Sequence, residues 1–96
     1  MKIFGNIYTN LELESIIPQL VLPQWRIKKN TQNEFSITAK DVVLSIEGQG
    51  EILVFGELAI EIEMIDRWIE HISALKISFS IDLHGDEARL MRRYQQ

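Results

Sequence analysis

The chain has 96 residues and a net charge of −4, with 46% hydrophobic residues, 25% charged residues and no cysteine. That composition suits one soluble globular domain, residues 1–96, with a modest core. It excludes disulfides and thiolate metal sites, and the acidic balance disfavours nucleic acid while favouring a partner with a basic face.

Met1–Asn6 starts like a signal peptide, but Gly5, Asn6, Thr9 and Asn10 interrupt the apolar run. No apolar stretch reaches the length that spans a bilayer. A cytoplasmic protein with no membrane partner is expected.

Residues 2–8 read as a strand with Ile3 and Ile7 on one face and Phe4 and Tyr8 on the other. Apolar residues on both faces predict a central strand. Thr9 and Glu12 have capping-box spacing, and a helix over 11–20 places Leu13, Ile16, Ile17 and Leu20 on one side. Pro18 kinks that helix or ends its regular part near Ile17. Trp25 and Ile27 alternate with Arg26 and Lys28 in a short strand, and residues 30–33 are turn-like. Phe35, Ile37 and Ala39 then point inward, followed by Val42, Leu44 and Ile46. The inward parity switches at Lys40-Asp41. A β-bulge there, within one long strand over 34–47, is expected over a break into two short strands.

Gly48-Gln49-Gly50 reads as a three-residue hairpin loop. It sets Glu47 opposite Glu51, Ile46 opposite Ile52, Leu44 opposite Val54 and Val42 opposite Gly56. The returning strand runs over 51–63, with Leu58, Ile60 and Ile62 inward. A helix over 64–76 carries the stripe Ile65, Trp68, Ile69, Ile72 and Leu75. Ile77, Phe79, Ile81 and Leu83 alternate with polar residues in a half-buried strand, and Gly85-Asp86 marks a turn. The tail 88–94 suits either a helix capped by Asp86 or a strand with Leu90 and Tyr94 on one side, and the strand is expected. The order β-α-β-β-β-α-β, with that final strand added, predicts an α+β two-layer sandwich. Its sheet would be mainly antiparallel, with five or six strands and two helices, a variant of the ferredoxin-like layout.

From Asp41 to Asp66 there are seven carboxylates (Asp41, Glu47, Glu51, Glu57, Glu61, Glu63 and Asp66) and no Lys or Arg. The first six occupy odd positions, so on strands they share a face. In the expected register that face pairs Glu47 with Glu51, Ser45 with Leu53, Val43 with Phe55, and Asp41 with Glu57. Val43, Leu53 and Phe55 then form an apolar patch rimmed by Asp41, Glu47, Glu51, Glu57 and Glu61. An apolar centre within a polar rim is the anatomy of a protein interface. The alternative is a solvated face whose charges discourage aggregation.

Other chemistry is weaker. Asp82, His84 and Asp86 alternate and could converge on a metal, but they read better as a strand ending in a polar turn, so no metal or cofactor is expected. His71 lies off the core stripe with no nucleophile signature beside it, so no catalytic residue is expected and the chain is read as a non-enzyme. Trp25 with Arg26, Lys28 and Lys29 could stack on and neutralise a nucleic acid strand. The inward parity of Trp25 assigns it to the core instead.

These features together are a cysteine-free domain, a carboxylate-rich surface, and an amphipathic helix running into Ile77–Leu83. In that layout the chain resembles the small acidic immunity proteins of bacterial contact-dependent inhibition and related polymorphic toxin systems. The resemblance implies a stoichiometric inhibitor of a cognate toxin domain, often a basic nuclease, with no catalysis of its own. It transfers no binding residue position by position. Two other classes stay open: an interaction or oligomerisation domain, including a homodimer, and a small enzyme or ligand binder with a pocket between helices and sheet.

Overall fold

Ile3, Gly5 and Ile7 are buried, while Lys2, Phe4 and Tyr8 are exposed. The first strand, β1 (Lys2–Tyr8), is therefore covered on one side only. In the computed structural model, which describes residues 1–96, it is followed by α1 (Leu13–Leu20), β2 (Arg26–Thr31), β3 (Glu34–Ala39), β4 (Val42–Gln49), β5 (Glu51–Leu58), α2 (Ile62–Ser73), β6 (Ser78–His84) and β7 (Leu90–Gln95). The fold is α+β: one antiparallel sheet in the order β2-β3-β4-β5-β1-β6-β7, with two helices.

Seven strands replace the five or six expected, and the order departs from a ferredoxin-like sheet. The extra strand comes from Lys40-Asp41. These residues form a two-residue hairpin turn that pairs Ala39 with Val42, with Asp41 in the left-handed region at φ 62°. A tight turn reverses the chain and keeps both flanking residues on one face, which produces the parity switch without a bulge. The tail is a strand, β7, which brings Tyr94 opposite Ile81. A register shift between Leu83 and His84 sets Leu90 opposite His84, so Leu90 and Tyr94 do not share one side as expected.

The β4–β5 register differs from the expected one by two residues. Ile46 faces Val54, Leu44 faces Gly56, and Val42 faces Leu58. Gly48 pairs with Ile52 and Gln49 with Glu51, so the loop is shorter than expected. An even shift changes partners but not faces, and the inward set is unchanged. Gly56 sits on that inward side at φ 151°. A Cβ there would stand 2.1 Å from the Val43 carbonyl oxygen, so only glycine fits.

Both helices are offset from expectation. The Thr9 hydroxyl accepts from the Leu11 N–H at 3.1 Å instead of capping a helix, and α1 begins after Glu12 with Pro18 inside it. β5 ends at Leu58, so Ile60 and Ile62 are not strand residues. Ile60 lies in the link to α2, and Ile62 opens α2; both are half-buried against the core. Leu13, Ile16, Ile17 and Leu20 on α1, and Ile65, Trp68, Ile69 and Ile72 on α2, are buried as expected, while Leu75, expected to end the second stripe, lies beyond α2 and is half-buried.

These stripes join the inward side chains of the strands in one apolar cluster. Trp68 donates its indole N–H to the Leu20 carbonyl at 2.8 Å. Trp25 packs against it with ring centroids 5.2 Å apart. The layers are also pinned at their margins. Lys29 pairs with Glu14 at 2.9 Å, and the Tyr94 hydroxyl donates to Asp66 at 2.6 Å. No helix is long and apolar enough to cross a membrane.

Candidate functional site

With the core on one side of the sheet, side chains of the opposite parity form an uncovered face. Its centre is Phe4 on β1 beside Phe55 on β5, direct partners in the ladder. In the same row, Ser45 flanks Phe55 and Asp82 flanks Phe4. The row on one side reads Glu34, Glu47, Leu53, Asn6, Ser80, and the row on the other reads Thr38, Val43, Glu57, Lys2, His84. Phe4 is 58% exposed and Val43 64%, while Leu53 and Phe55 are half-buried by their neighbours. Exposed apolar residues gathered in this way carry more meaning than scattered ones.

The polar groups around this centre are partly engaged with each other. Asn6 Nδ2 donates to the Glu51 carboxylate and, at 3.2 Å, to the Tyr8 hydroxyl. Asp82 accepts two bonds from the Arg93 guanidinium, at 2.9 and 3.1 Å. That paired hydrogen bond holds the Asp82 carboxyl below its ordinary pKa. The ion pairs of the chain are Lys29–Glu14, Arg92–Asp66 and Arg93–Asp82. Glu34, Glu47, Glu51 and Glu57 take part in none of them.

Of the residues selected from sequence, Val43, Glu47, Glu51, Leu53, Phe55 and Glu57 are brought together on β4 and β5. Their pairings differ from those expected. Glu47 faces Leu53, Ser45 faces Phe55, Val43 faces Glu57, and Glu51 faces Gln49. The close like-charge pair is Glu34 with Glu47 across β3 and β4, not Glu47 with Glu51. Asp41 and Glu61 do not belong to the face. Asp41 forms the β3–β4 turn, its carbonyl accepting from the Ala59 N–H at 2.7 Å, and Glu61 is the N-cap residue of α2. Glu63 lies in the first turn of α2, where a carboxylate complements the helix dipole. Asp41 and Glu61 instead line a groove of about 750 Å³ at the end of the sheet, with Trp25, Lys40 and Met64.

The more exposed of the two central phenylalanines, Phe4, is absent from the set chosen from sequence. Apolar residues on both faces made β1 a central strand, as it is, between β5 and β6, and gave no sign that the face of Phe4 is open. The contrary signal was parity: Lys2 and Asn6 share the face of Phe4 and Tyr8, and two polar residues in four mark a side that meets water.

The remaining motifs are absorbed elsewhere. Asp82 is held by Arg93, and no group of three or more His, Asp or Glu side chains is placed to hold a metal ion. Trp25 is buried against Trp68. His71 is half-buried, and its Nε2 is enclosed with no hydrogen-bond partner. The open face therefore offers three aromatic rings, those of Phe4, Tyr8 and Phe55, and two aliphatic side chains, with the glutamates of β3 to β5 in no ion pair. Such a surface can desolvate against an apolar patch and attract positive charge around it. Comparison with protein-family models, curated proteins and solved structures finds no match to this chain.

Proposed function

We propose that the chain is a non-catalytic protein-binding module that docks a partner with a basic surface through the open face of its sheet. The observation that supports this reading is the juxtaposition of Phe4, Phe55, Leu53 and Val43 with Glu34, Glu47, Glu51 and Glu57, none of which has an ion-pair partner. Aromatic side chains at the centre of a patch supply most of the binding energy in protein interfaces. Unpaired charges around them set encounter rate and specificity. Joined to the resemblance drawn from the sequence, this supports reading the chain as an immunity protein that neutralises a cognate toxin domain, with a basic nuclease as the partner class. The carboxylates would stand where that partner takes up phosphates.

The test is binding kinetics against the protein captured from native lysate, at several salt concentrations. Phe55→Ala should mainly speed dissociation. Glu47→Lys and Glu57→Lys should mainly slow association and flatten its salt dependence. If all three variants bind like the parent while changes at Arg26, Lys28 or Arg92 abolish binding, the working surface is on the basic side and the proposal fails.

A further inference from the structure

One end of the open face deepens into a groove of about 870 Å³. Its floor includes Phe4, Phe55 and Glu57, and the β6–β7 loop, Gly85–Ala88, forms part of its wall. That volume falls within the range of ligand-binding clefts. It is continuous with the patch described above, because Phe4 and Phe55 belong to both.

Three carboxylates line it, and they come from two different parts of the chain: Glu57 on β5, and Asp86 and Glu87 on the loop. None of the three is in an ion pair. Lys2 lies beside Glu57 and His84 in the ladder, and the lining holds a second ammonium, the amino terminus of Met1, which donates to the Leu58 carbonyl at 2.9 Å. The groove thus combines two aromatic rings with three carboxylates against two ammonium groups, of which that of Met1 is already engaged by a backbone carbonyl.

A guanidinium fits that combination better than other groups. Its flat face stacks on aromatic rings, and its edge presents parallel N–H donors to carboxylates. A lysine ammonium can meet the carboxylates but cannot stack. An anionic ligand would meet more like charges than opposite ones, and a neutral apolar one would leave carboxylates desolvated.

We propose that the groove formed by Phe4, Phe55, Glu57 and the Asp86–Glu87 loop receives an arginine side chain carried on an extended segment of the partner protein. This rests on the binding reading above and names the chemistry by which the partner would be recognised.

The intact ¹⁵N-labelled protein can be titrated with capped Gly-Arg-Gly, and with the same peptide carrying lysine or citrulline in place of arginine. The arginine peptide should shift the amides of Phe4, Phe55, Glu57, Asp86 and Glu87 saturably. Citrulline keeps the shape but removes the charge, so its peptide should bind at least about tenfold more weakly. The double variant Asp86→Asn with Glu87→Gln should weaken the arginine peptide by about tenfold as well. Both residues are exposed and their side chains make no hydrogen bond, so the fold should not change.

Equal shifts from the citrulline peptide, or no shifts from the arginine peptide, would overturn the inference. So would groove shifts that appear on concentrating the protein alone, which would mean that a second copy occupies the groove. The broader reading is tested separately. If Leu53→Asp abolishes partner capture while the Asp86–Glu87 double variant leaves it intact, the open face binds a partner and the arginine inference alone is wrong.

Discussion

Trp68 and Leu20 join the two helices through a single buried hydrogen bond, indole Nε1 to backbone carbonyl at 2.8 Å. Leu20 is the last residue of α1, a short helix with Pro18 inside it, so its carbonyl has no continuing helical turn to satisfy it. The indole fills that role while burying its ring against Trp25. Trp68→Phe keeps most of the apolar volume and removes the donor. It should cost about 2–3 kcal/mol, the penalty for a buried acceptor left alone plus a partial cavity. Urea denaturation followed by Trp25 fluorescence measures it. An unchanged midpoint would mean that the bond does not tie α1 to α2.

The two sides of β1 should respond in opposite ways. Ile7 is fully buried and Phe4 is 58% exposed. Ile7→Ala should cost roughly 2–5 kcal/mol, as for other large aliphatic truncations in a core. Phe4→Ser should change stability by less than about 1 kcal/mol, as an exposed substitution does. Equal losses at both positions in thermal or chemical denaturation would show that something covers the open face in the folded protein.

Tyr94 makes stability sensitive to alkaline pH. Its phenol is held well above the ordinary value, first by burial and then by its hydrogen bond to Asp66. In the unfolded chain a tyrosine ionises near pH 10. Below that pH the neutral phenol is present in both states and its full contribution to stability is retained. As pH rises beyond about 10 the unfolded state loses a proton that the folded state keeps, so stability falls. Tyr94→Phe should lower stability at neutral pH and flatten the alkaline decline. A decline of identical steepness in the variant would place its origin elsewhere.

Hydrophobic periodicity made most of this architecture readable. The α1 and α2 stripes and the inward residues of β3 to β6 follow from positions such as Ile65, Trp68, Phe79 and Ile81, whereas the tail suited helix and strand alike. What periodicity could not separate were events that preserve parity. A two-residue turn at Lys40-Asp41 and a bulge at the same place both switch the inward side. A hairpin register moved by two residues leaves every face unchanged while replacing Glu51 by Leu53 opposite Glu47. The boundary between β5 and α2 was hidden for a related reason, because Ile60 and Ile62 continue the even inward pattern after the strand has ended at Leu58.

The candidate surface was legible only in part. Val43, Leu53, Phe55 and the carboxylates of β4 and β5 follow from alternation within one hairpin. Phe4 depends on which strands flank β1, and its neighbours are Phe55 and Asp82, far along the chain. Long-range pairing of this kind leaves no local pattern. The same holds for the groove, whose wall is a loop next to β1 only in space.

The position of β1 also governs how the chain can assemble. β2 to β5 are joined by short turns and can zip together as a meander with little loop entropy to overcome. β1 has no such neighbour: Lys2 pairs with Glu57 on one side and with His84 on the other. The earliest strand to be synthesised must therefore wait for most of the chain before either of its edges is satisfied. Contacts so distant in sequence slow folding and keep apolar strand edges exposed for longer. Ile3 and Ile7 should accordingly show φ-values near zero and Ile37 and Leu44 high ones. The centre of the finished sheet would then be its last seam to close.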